Sequence, residues 1–360
     1  MVLIDGQGLG HTPDSAASVT TSITRRFASV DVILLVDNAK QPMQAASLAV
    51  LRSVATGGYA EKLAIAFTHF DQVVGPNVQT VAAKRDHVLA AVRNALTSMR
   101  DELGSMLIRS LEDGLESRSF MLGWLNKAPD ALKPKMKEQI RLLFDFAGQS
   151  ISPPEPIPAA PVYDPASLLF AVQTATRDFQ SLWSARLGLE MRDAVRKEHW
   201  TRIKALNRRI ADGWSVEYDT LMPVADLFSR LSEQVSLFLE HPLRWTGDAS
   251  DETERVRAVA AVRRAVAEVL QSFALQRVIE EHVGDWVRAY GYAGRGSTLV
   301  RARDIRNIYE DAAPIPGVIV TEHTRKFLEN IRALVHRAIE LGGGELADGG
   351  SSRGGDQQGR

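Results

Sequence analysis

Four short apolar runs divide the first part of the chain, and helical patterns separate them. They are predicted as strands over residues 2–5, 30–36, 63–67 and 119–125. The first three runs lead into acidic residues, which are Asp5, Asp37 and Asp71. Near-continuous apolar runs are typical of parallel strands that are buried on both faces. Repeated strand, polar turn and helix therefore predict a parallel sheet whose ligands bind at the carboxyl ends of the strands.

Apolar residues recur at helical spacing over most of the remaining chain. Helices are predicted at about residues 16–27, 41–54, 78–111, 134–146, 165–212, 220–240, 251–288 and 321–341. In the pattern over residues 78–111, Val88, Val92 and Leu96 begin a stripe that steps by three or four residues. Such a stripe serves either as a partner surface or as a core face. The core face is favoured, because helices of globular proteins usually turn their apolar stripe inward.

A proline-rich stretch divides the chain into two regions. Five prolines lie within residues 152–161, and such a stretch favours an extended spacer over a helix. We expect an α/β domain over residues 1–150, a linker over 151–165, a helical bundle over 166–341 and a disordered glycine-rich tail over 342–360. The predicted fold class is therefore α/β, with a partial parallel sheet followed by an all-α helical domain.

Composition excludes several classes of protein. The 360 residues carry a formal net charge of -1, which gives no bulk attraction to nucleic acid or to an anionic membrane. The chain has no cysteine, so disulfide scaffolds and thiolate metal sites are excluded. No apolar run approaches the roughly 18 residues of a membrane helix, and no signal-peptide pattern is present. We expect a cytoplasmic protein with no transmembrane segment and no evident nucleic-acid partner.

Two of the strand-end segments resemble known nucleotide-binding motifs. Asp5-Gly6-Gln7-Gly8 resembles the D-x-x-G signature of P-loop GTPases, and Thr68-His69-Phe70-Asp71 resembles a variant of their N/T-K-x-D signature. Over about residues 1–128, the chain resembles the translation-factor-like class of P-loop GTPases, with its dynamin-like and AIG1-like branches. The resemblance implies a P-loop NTPase-like domain that binds GTP or ATP together with Mg²⁺.

The resemblance also implies roles for individual residues. Asp5 would hold Mg²⁺ through a water molecule, and Gly8 would bring its backbone N–H to the γ-phosphate. Asp71 would accept two hydrogen bonds from guanine. Thr68 and His69 stand where the family usually has asparagine and lysine. Guanine is favoured over adenine, and ATP stays the alternative.

The phosphate-binding loop of the family, G-x-x-x-x-G-K-[ST], is absent from the sequence. None of the lysines follows a glycine, and the lysine of that motif contacts the β- and γ-phosphates directly. We therefore expect the sequence to be a fragment whose parent encodes the motif upstream of Asp5. The chain alone is expected to bind GTP or ATP weakly and to hydrolyse neither.

Other candidate residues carry weaker signals. Gln7 does not occupy the position of the family's catalytic glutamine. For His11, a solvent-exposed position is favoured over a contact with water or phosphate. Asn126 and Lys127 would lie where the family's fifth, base-contacting loop is found. For the glycine-rich residues 291–298, a hinge between helices is favoured over a phosphate loop.

These observations favour a nucleotide-binding NTPase whose helical domain responds to phosphoryl transfer and binds a protein partner or a second copy of the chain. The alternative is a non-enzymatic protein-interaction module in which the helices bind a partner and the sheet is a degenerate NTPase scaffold. Catalytic residues are not identified, because no paired nucleophile and base can be read from the sequence. Nucleotide binding by the purified chain separates the two hypotheses.

Overall fold

The computed structural model describes residues 4, 19–150, 159–193, 195–247, 251–316 and 321–347. Asp5 and Gly8, together with Gln7 and His11, lie outside the described residues. Of the predicted first strand only Ile4 is described, and it is exposed and lies in neither a helix nor a strand. Most of the proline-rich linker and most of the predicted tail are likewise outside the described residues.

A parallel sheet forms the centre of the first region. Its strands are β1 (Ile33–Asn38), β2 (Leu63–Thr68) and β3 (Ser119–Met121), in that order across the sheet. Ile33 lies opposite Leu63, and Ile65 lies opposite Ser119. The last three predicted strands are therefore confirmed as parallel neighbours, although β3 is shorter than predicted.

Helices pack on both faces of this sheet, but β1 is buried on one face only, since Leu34 and Val36 are exposed. They are α1 (Thr21–Thr24), α2 (Ala45–Thr56), α3 (Val81–Ser98), α4 (Arg100–Leu103), α5 (Ser105–Glu112) and α6 (Pro134–Gln149). Leu35, Ile65 and Phe67 share a buried cluster with residues of α2, α3 and α5. Ala64 and Ala66 pack on the other face, with residues of α6. The central strand β2 is thus buried on both faces, as its continuous apolar run predicts.

The predicted helix over residues 78–111 is three helices rather than one. Gly104 follows α4 with a φ of 90°, which residues other than glycine rarely adopt. A Cβ at this glycine would lie 2.5 Å from the carboxyl carbon of Glu240, so the close approach of Glu240 also requires glycine. The apolar stripe belongs to the core as predicted, since Val88 and Leu96 are buried.

Helices form most of the second region. They are α7 (Leu168–Leu187), α8 (Trp200–Ala211), α9 (Pro223–Leu239), α10 (Glu252–Val278), α11 (Val283–Gly291), α12 (Ser297–Ala312) and α13 (Glu322–Leu341). The predicted helix over residues 165–212 is two helices, because Gly188 adopts the left-handed conformation and ends α7. The predicted helix over residues 251–288 likewise divides into α10 and α11 at a 3₁₀ turn. The turn before α12 has positive φ at Gly294 and Gly296, and α12 itself was not predicted. None of the helices in the described ranges is long and apolar enough to cross a lipid bilayer.

A small second sheet accompanies these helices. Its strands are β4 (Ala160–Tyr163), β5 (Arg244–Thr246) and β6 (Glu345–Leu346). The central strand β4 is antiparallel to β5 and parallel to β6. The prediction of an all-helical second region is therefore wrong in this respect. Pairing with distant segments, together with the burial of Val162 and Tyr163, stabilises strands in stretches whose composition predicts a linker and a tail.

The two regions contact each other through a buried carboxylate. Glu240, directly after α9, is 3% exposed and accepts hydrogen bonds from the backbone N–H groups of Met106 and Leu107 at the start of α5. Arg263 of α10 donates to the same carboxylate at 3.1 Å. Helices α9 and α10 therefore pack directly against the helices that cover the parallel sheet.

Candidate functional site

The strands of the parallel sheet end at one edge, and a residue with strained backbone follows each of them. Met43 after β1, His69 after β2 and Trp124 after β3 have φ values of 61°, 57° and 52°. In the described ranges, Asp219 is the remaining non-glycine residue with positive φ. This conformation costs roughly 1–2 kcal/mol per residue, and such residues cluster at functional sites. The carboxyl edge of the sheet is therefore the candidate site.

Thr68 links the ends of β1 and β2. Its hydroxyl donates a hydrogen bond to the carbonyl oxygen of Asp37 at 3.0 Å. In return, the N–H of Ala39 donates to the carbonyl oxygen of Thr68 at 2.9 Å. The threonine therefore fixes the relative position of two of the loops that form the edge. Its hydroxyl keeps acceptor lone pairs with which it can contact a ligand.

Asp37 is buried and stabilises the loop after β1. Its Oδ2 accepts a hydrogen bond from the N–H of Met43 at 2.8 Å, and its Oδ1 accepts one from the hydroxyl of Ser47 at 3.0 Å. These bonds hold Met43 in the left-handed conformation and anchor the start of α2. Both carboxylate oxygens of Asp37 therefore contribute to the structure of this loop.

Asp71 joins the loop after β2 to the loop after β3. Its Oδ1 accepts a hydrogen bond from the backbone N–H of Trp124 at 3.0 Å. The two loops approach so closely that a Cβ at Gly123 would lie 2.8 Å from the same oxygen. The T-x-x-D segment thus lies at the carboxyl edge, with Thr68 and Asp71 half-buried, His69 exposed and Phe70 buried.

Trp124 is a residue of this edge that sequence reasoning missed. Its side chain is half-buried, and the ammonium nitrogen of Lys133, just before α6, lies 4.6 Å from its ring centroid. That distance is within the range of a cation–π interaction. Asn126 and Lys127, the predicted base-contacting residues, lie farther along the same loop and are exposed. An aromatic residue directly after a strand-end glycine is the signal that could have identified Trp124.

A cleft lies between α10 and the segment that leads into β1. It has a volume of about 360 Å³ and is lined by residues of α1, α2, α9 and α10. Burial raises the pKa of Tyr59 in this cleft to about 12, and the neighbouring Glu268 adds to the effect. Lys62 donates to the carbonyl oxygen of Val30 at 2.8 Å, and burial lowers the pKa of its ammonium group. The predicted helix over residues 16–27 is, in its described part, the short α1 followed by turns.

The residues that the structure describes do not supply a magnesium site. No group of three histidine, aspartate or glutamate side chains in the described ranges is placed to hold a metal ion. Asp5 and Gly8, to which the resemblance assigns Mg²⁺ and the γ-phosphate, lie outside those ranges. Their assignment therefore stays a prediction.

Comparisons of the chain with protein-family models, with curated proteins and with solved structures found no match. The carboxyl edge of the sheet combines the carboxylate of Asp71 with the exposed imidazole of His69, while the indole of Trp124 packs against the apolar cluster that contains Phe120 and Met136. Groups of these kinds suit hydrogen bonding to, and stacking against, a planar ligand.

Proposed function

We propose that the chain binds a purine nucleotide, GTP in preference to ATP, at the carboxyl edge of its parallel sheet. The observation that carries the proposal is the position of Asp71, which follows the central strand and is hydrogen-bonded to the loop of the neighbouring strand. Open α/β sheets bind ligands outside the carboxyl ends of their strands. The strained residues in all three loops support the same edge.

In this proposal the side chains of the edge recognise the base. Asp71 accepts a hydrogen bond from it, His69 borders it in place of the family's lysine, and Thr68 holds the loop against β1. Asp5 would hold Mg²⁺ and Gly8 would contact the γ-phosphate, as the resemblance implies. Bound Mg²⁺ would neutralise part of the triphosphate charge, which nearby carboxylates otherwise repel.

The helical region would respond to the nucleotide through the contacts that it shares with the first region. Glu240 binds the start of α5, and Leu107 of α5 belongs to the same buried cluster as Ile65 of the central strand. Movement of the loops at the sheet edge would therefore reach α9 and α10 through packed side chains. Hydrolysis by this chain alone is not part of the proposal, because the sequence has no lysine of a phosphate-binding loop.

Nucleotide binding by the purified chain tests the proposal. We expect GTP with Mg²⁺ to bind with a dissociation constant on the order of 1 mM, or about -4 kcal/mol, because the contacts of a phosphate loop are missing. Saturation-transfer NMR detects binding of this strength. Asp71→Ala should abolish the signal from the base protons, whereas Asp86→Ala, a matched change at an exposed position of α3, should preserve it. The proposal fails if the wild-type chain gives no signal or if Asp71→Ala gives the same signal.

A groove on the helical region favours a second candidate function, the binding of a protein partner. Leu169 and Phe170 at the start of α7 are exposed. A cleft of about 310 Å³ at the start of α7 is lined by side chains that include Leu169, Leu328 and Ile331. Apolar grooves of this kind accept the apolar face of a helix. If the chain binds no nucleotide but self-associates, and Leu169→Glu in this groove makes it monomeric in sedimentation velocity, the interaction module is the better description.

A further inference from the structure

The basic residues of the chain are unevenly distributed. The formal net charge is -1, yet residues 196–209 carry six arginine or lysine residues and a single acidic residue, Glu198. Most of this segment forms α8, which begins at Trp200. The carboxylate of Glu198 accepts hydrogen bonds from Arg202 at 2.6 Å and from the hydroxyl of Thr220 at 3.3 Å. The one acid of the segment is therefore held by these two residues and does not neutralise the other basic side chains.

Several of these basic side chains carry no ion pair. In the part of the chain that the structure describes, this holds for Arg196, Lys197, Lys204 and Arg209. Arg208 has a partner, Asp212 at 3.4 Å, and both are exposed. Trp200, Lys204 and Arg208 follow one another at intervals of four residues, which places them on one face of α8. This face is therefore positively charged.

Two exposed tryptophans flank the positive charge. Trp200 is 47% exposed and Trp214 is 68% exposed. The guanidinium of Arg208 lies 5.3 Å from the ring centroid of Trp214, and the ammonium group of Lys204 lies 5.9 Å from that of Tyr290 on α11. Trp200 and Arg208 are two helical turns apart, or about 12 Å along the axis. We call Trp200, Lys204, Arg208 and Trp214 together the α8 face.

The α8 face suits stacking against bases better than insertion into lipid. Ile203, Leu206 and Ile210 of α8 are buried in the helical core. The helix thus exposes no leucine, isoleucine or valine, whereas helices that bind a lipid surface present a continuous apolar face. Proteins that bind single-stranded nucleic acid combine exposed aromatic rings, on which bases stack, with cations that attract the phosphates. The bases of a duplex are paired and do not offer their faces to such rings.

We propose that the α8 face binds single-stranded nucleic acid, RNA or DNA, with little dependence on sequence. The indoles of Trp200 and Trp214 each stack on a base, and Lys204 with the neighbouring unpaired cations contacts the phosphates. Every base has a π-face, so stacking of this kind does not select a sequence. The surface belongs to the helical region, and the inference does not depend on nucleotide binding at the sheet edge.

Fluorescence anisotropy of labelled strands of about 20 nucleotides, oligouridine RNA and oligothymidine DNA, measures binding by the full chain without added GTP. We expect a dissociation constant on the order of 1 µM at about 50 mM salt. With about four phosphates contacted, raising the salt to about 200 mM should weaken binding about 50-fold, because each contact contributes about 0.7 to the slope of log affinity against log salt. A duplex of the same length should bind about tenfold more weakly, since it loses the stacking.

Substitutions separate stacking from charge. Trp200→Ala and Trp214→Ala should each weaken binding about fivefold or more and leave the salt slope unchanged. Lys204→Gln should reduce the salt slope by about 0.7. The matched controls are Trp245→Ala in β5, where the guanidinium of Arg255 lies 5.7 Å from the indole, and Lys137→Gln at an exposed position of α6. Neither control should change the affinity.

The remaining outcomes overturn the inference. Absence of binding to both single strands at about 50 mM salt would do so, as would equal affinity for the duplex or Trp200 and Trp214 variants that bind like Trp245→Ala. Co-sedimentation with vesicles of phosphatidylcholine and phosphatidylserine tests a lipid partner. Vesicle binding that Trp200→Ala abolishes, without binding to either strand, would assign the α8 face to a membrane surface instead. None of these results bears on GTP binding at the sheet edge, which the variants of Asp71 test separately.

Discussion

Replacing Glu240 with alanine should destabilise the chain by about 3–5 kcal/mol, because the change leaves a buried charge without its partner. Arg263 is 2% exposed, and its Nη2 lies 3.1 Å from Oε2 of Glu240. Burial lowers the pKa of Arg263, and the charge of Glu240 opposes that effect. Without the Glu240 carboxylate, the guanidinium of Arg263 keeps its hydrogen bond to the carbonyl oxygen of Ser236 at 3.3 Å. This oxygen carries no full charge and cannot replace the carboxylate as an ionic partner.

The same substitution uncovers the start of α5. The N–H groups of Met106 and Leu107 donate to Glu240, and groups in the first turn of a helix have no partner within that helix. The loss of these capping hydrogen bonds costs about 1 kcal/mol, and this cost is included in the about 3–5 kcal/mol expected for Glu240→Ala. Glu240→Gln should cost less than Glu240→Ala, because an amide oxygen still accepts from α5 although the ion pair is lost.

Urea unfolding followed by tryptophan fluorescence measures the free energy of unfolding. Glu280→Ala, at an exposed position, should change it by less than about 0.5 kcal/mol. The double variant Glu240→Leu with Arg263→Met should recover most of the loss, because apolar replacement of a buried pair is often neutral. A loss below about 1 kcal/mol for Glu240→Ala would refute the reasoning that a buried ion pair holds the two regions together.

Three further changes test other parts of the structure. Since burial raises the pKa of Tyr59 from 10.0 to about 12, the stability from its phenol is complete below about pH 10 and is lost as the pH rises toward 12. The free energy of unfolding, measured in urea, should therefore fall with rising pH by about 3 kcal/mol less in Tyr59→Phe than in the wild-type chain. Parallel pH profiles of this free energy in the two proteins would contradict the prediction. Gly104→Ala should cost at least about 2 kcal/mol in scanning calorimetry, against about 1 kcal/mol for Gly294→Ala. The reason is that both glycines have positive φ but only Gly104 meets another side chain, so equal costs would be unexpected. Asp37→Ala should cost about 2 kcal/mol and speed hydrogen exchange in the loop after β1, because a backbone N–H and a hydroxyl lose their acceptor, and unchanged exchange would count against that role.

The sequence by itself determined the local elements that repeat with a short period. The continuous apolar run of β2 predicted a parallel strand, because a strand covered by helices on both faces needs apolar residues at every position. The run of β1 also predicted a parallel strand, although only one of its faces is buried and Leu34 and Val36 are exposed. The helical stripe that includes Val88 and Leu96 predicted a core face, because helices of globular proteins usually turn their apolar stripe inward. Once β2 was located, Thr68, His69 and Asp71 had to lie at or just beyond its carboxyl end, so this part of the candidate site could be predicted.

The tertiary structure decided the features that depend on segments far apart in the chain. The break at Gly104 accompanies the approach of Glu240, while the apolar stripe continues across it without a change of spacing. Strands β4 and β6 form because each finds a partner, although one lies in a proline-rich stretch and the other follows a run of glycines. The bond between the Asp71 carboxylate and the backbone N–H of Trp124 joins the loops of two strands. A contact of this kind leaves no periodic pattern in the sequence, because it is set by how the packed helices bring distant loops together.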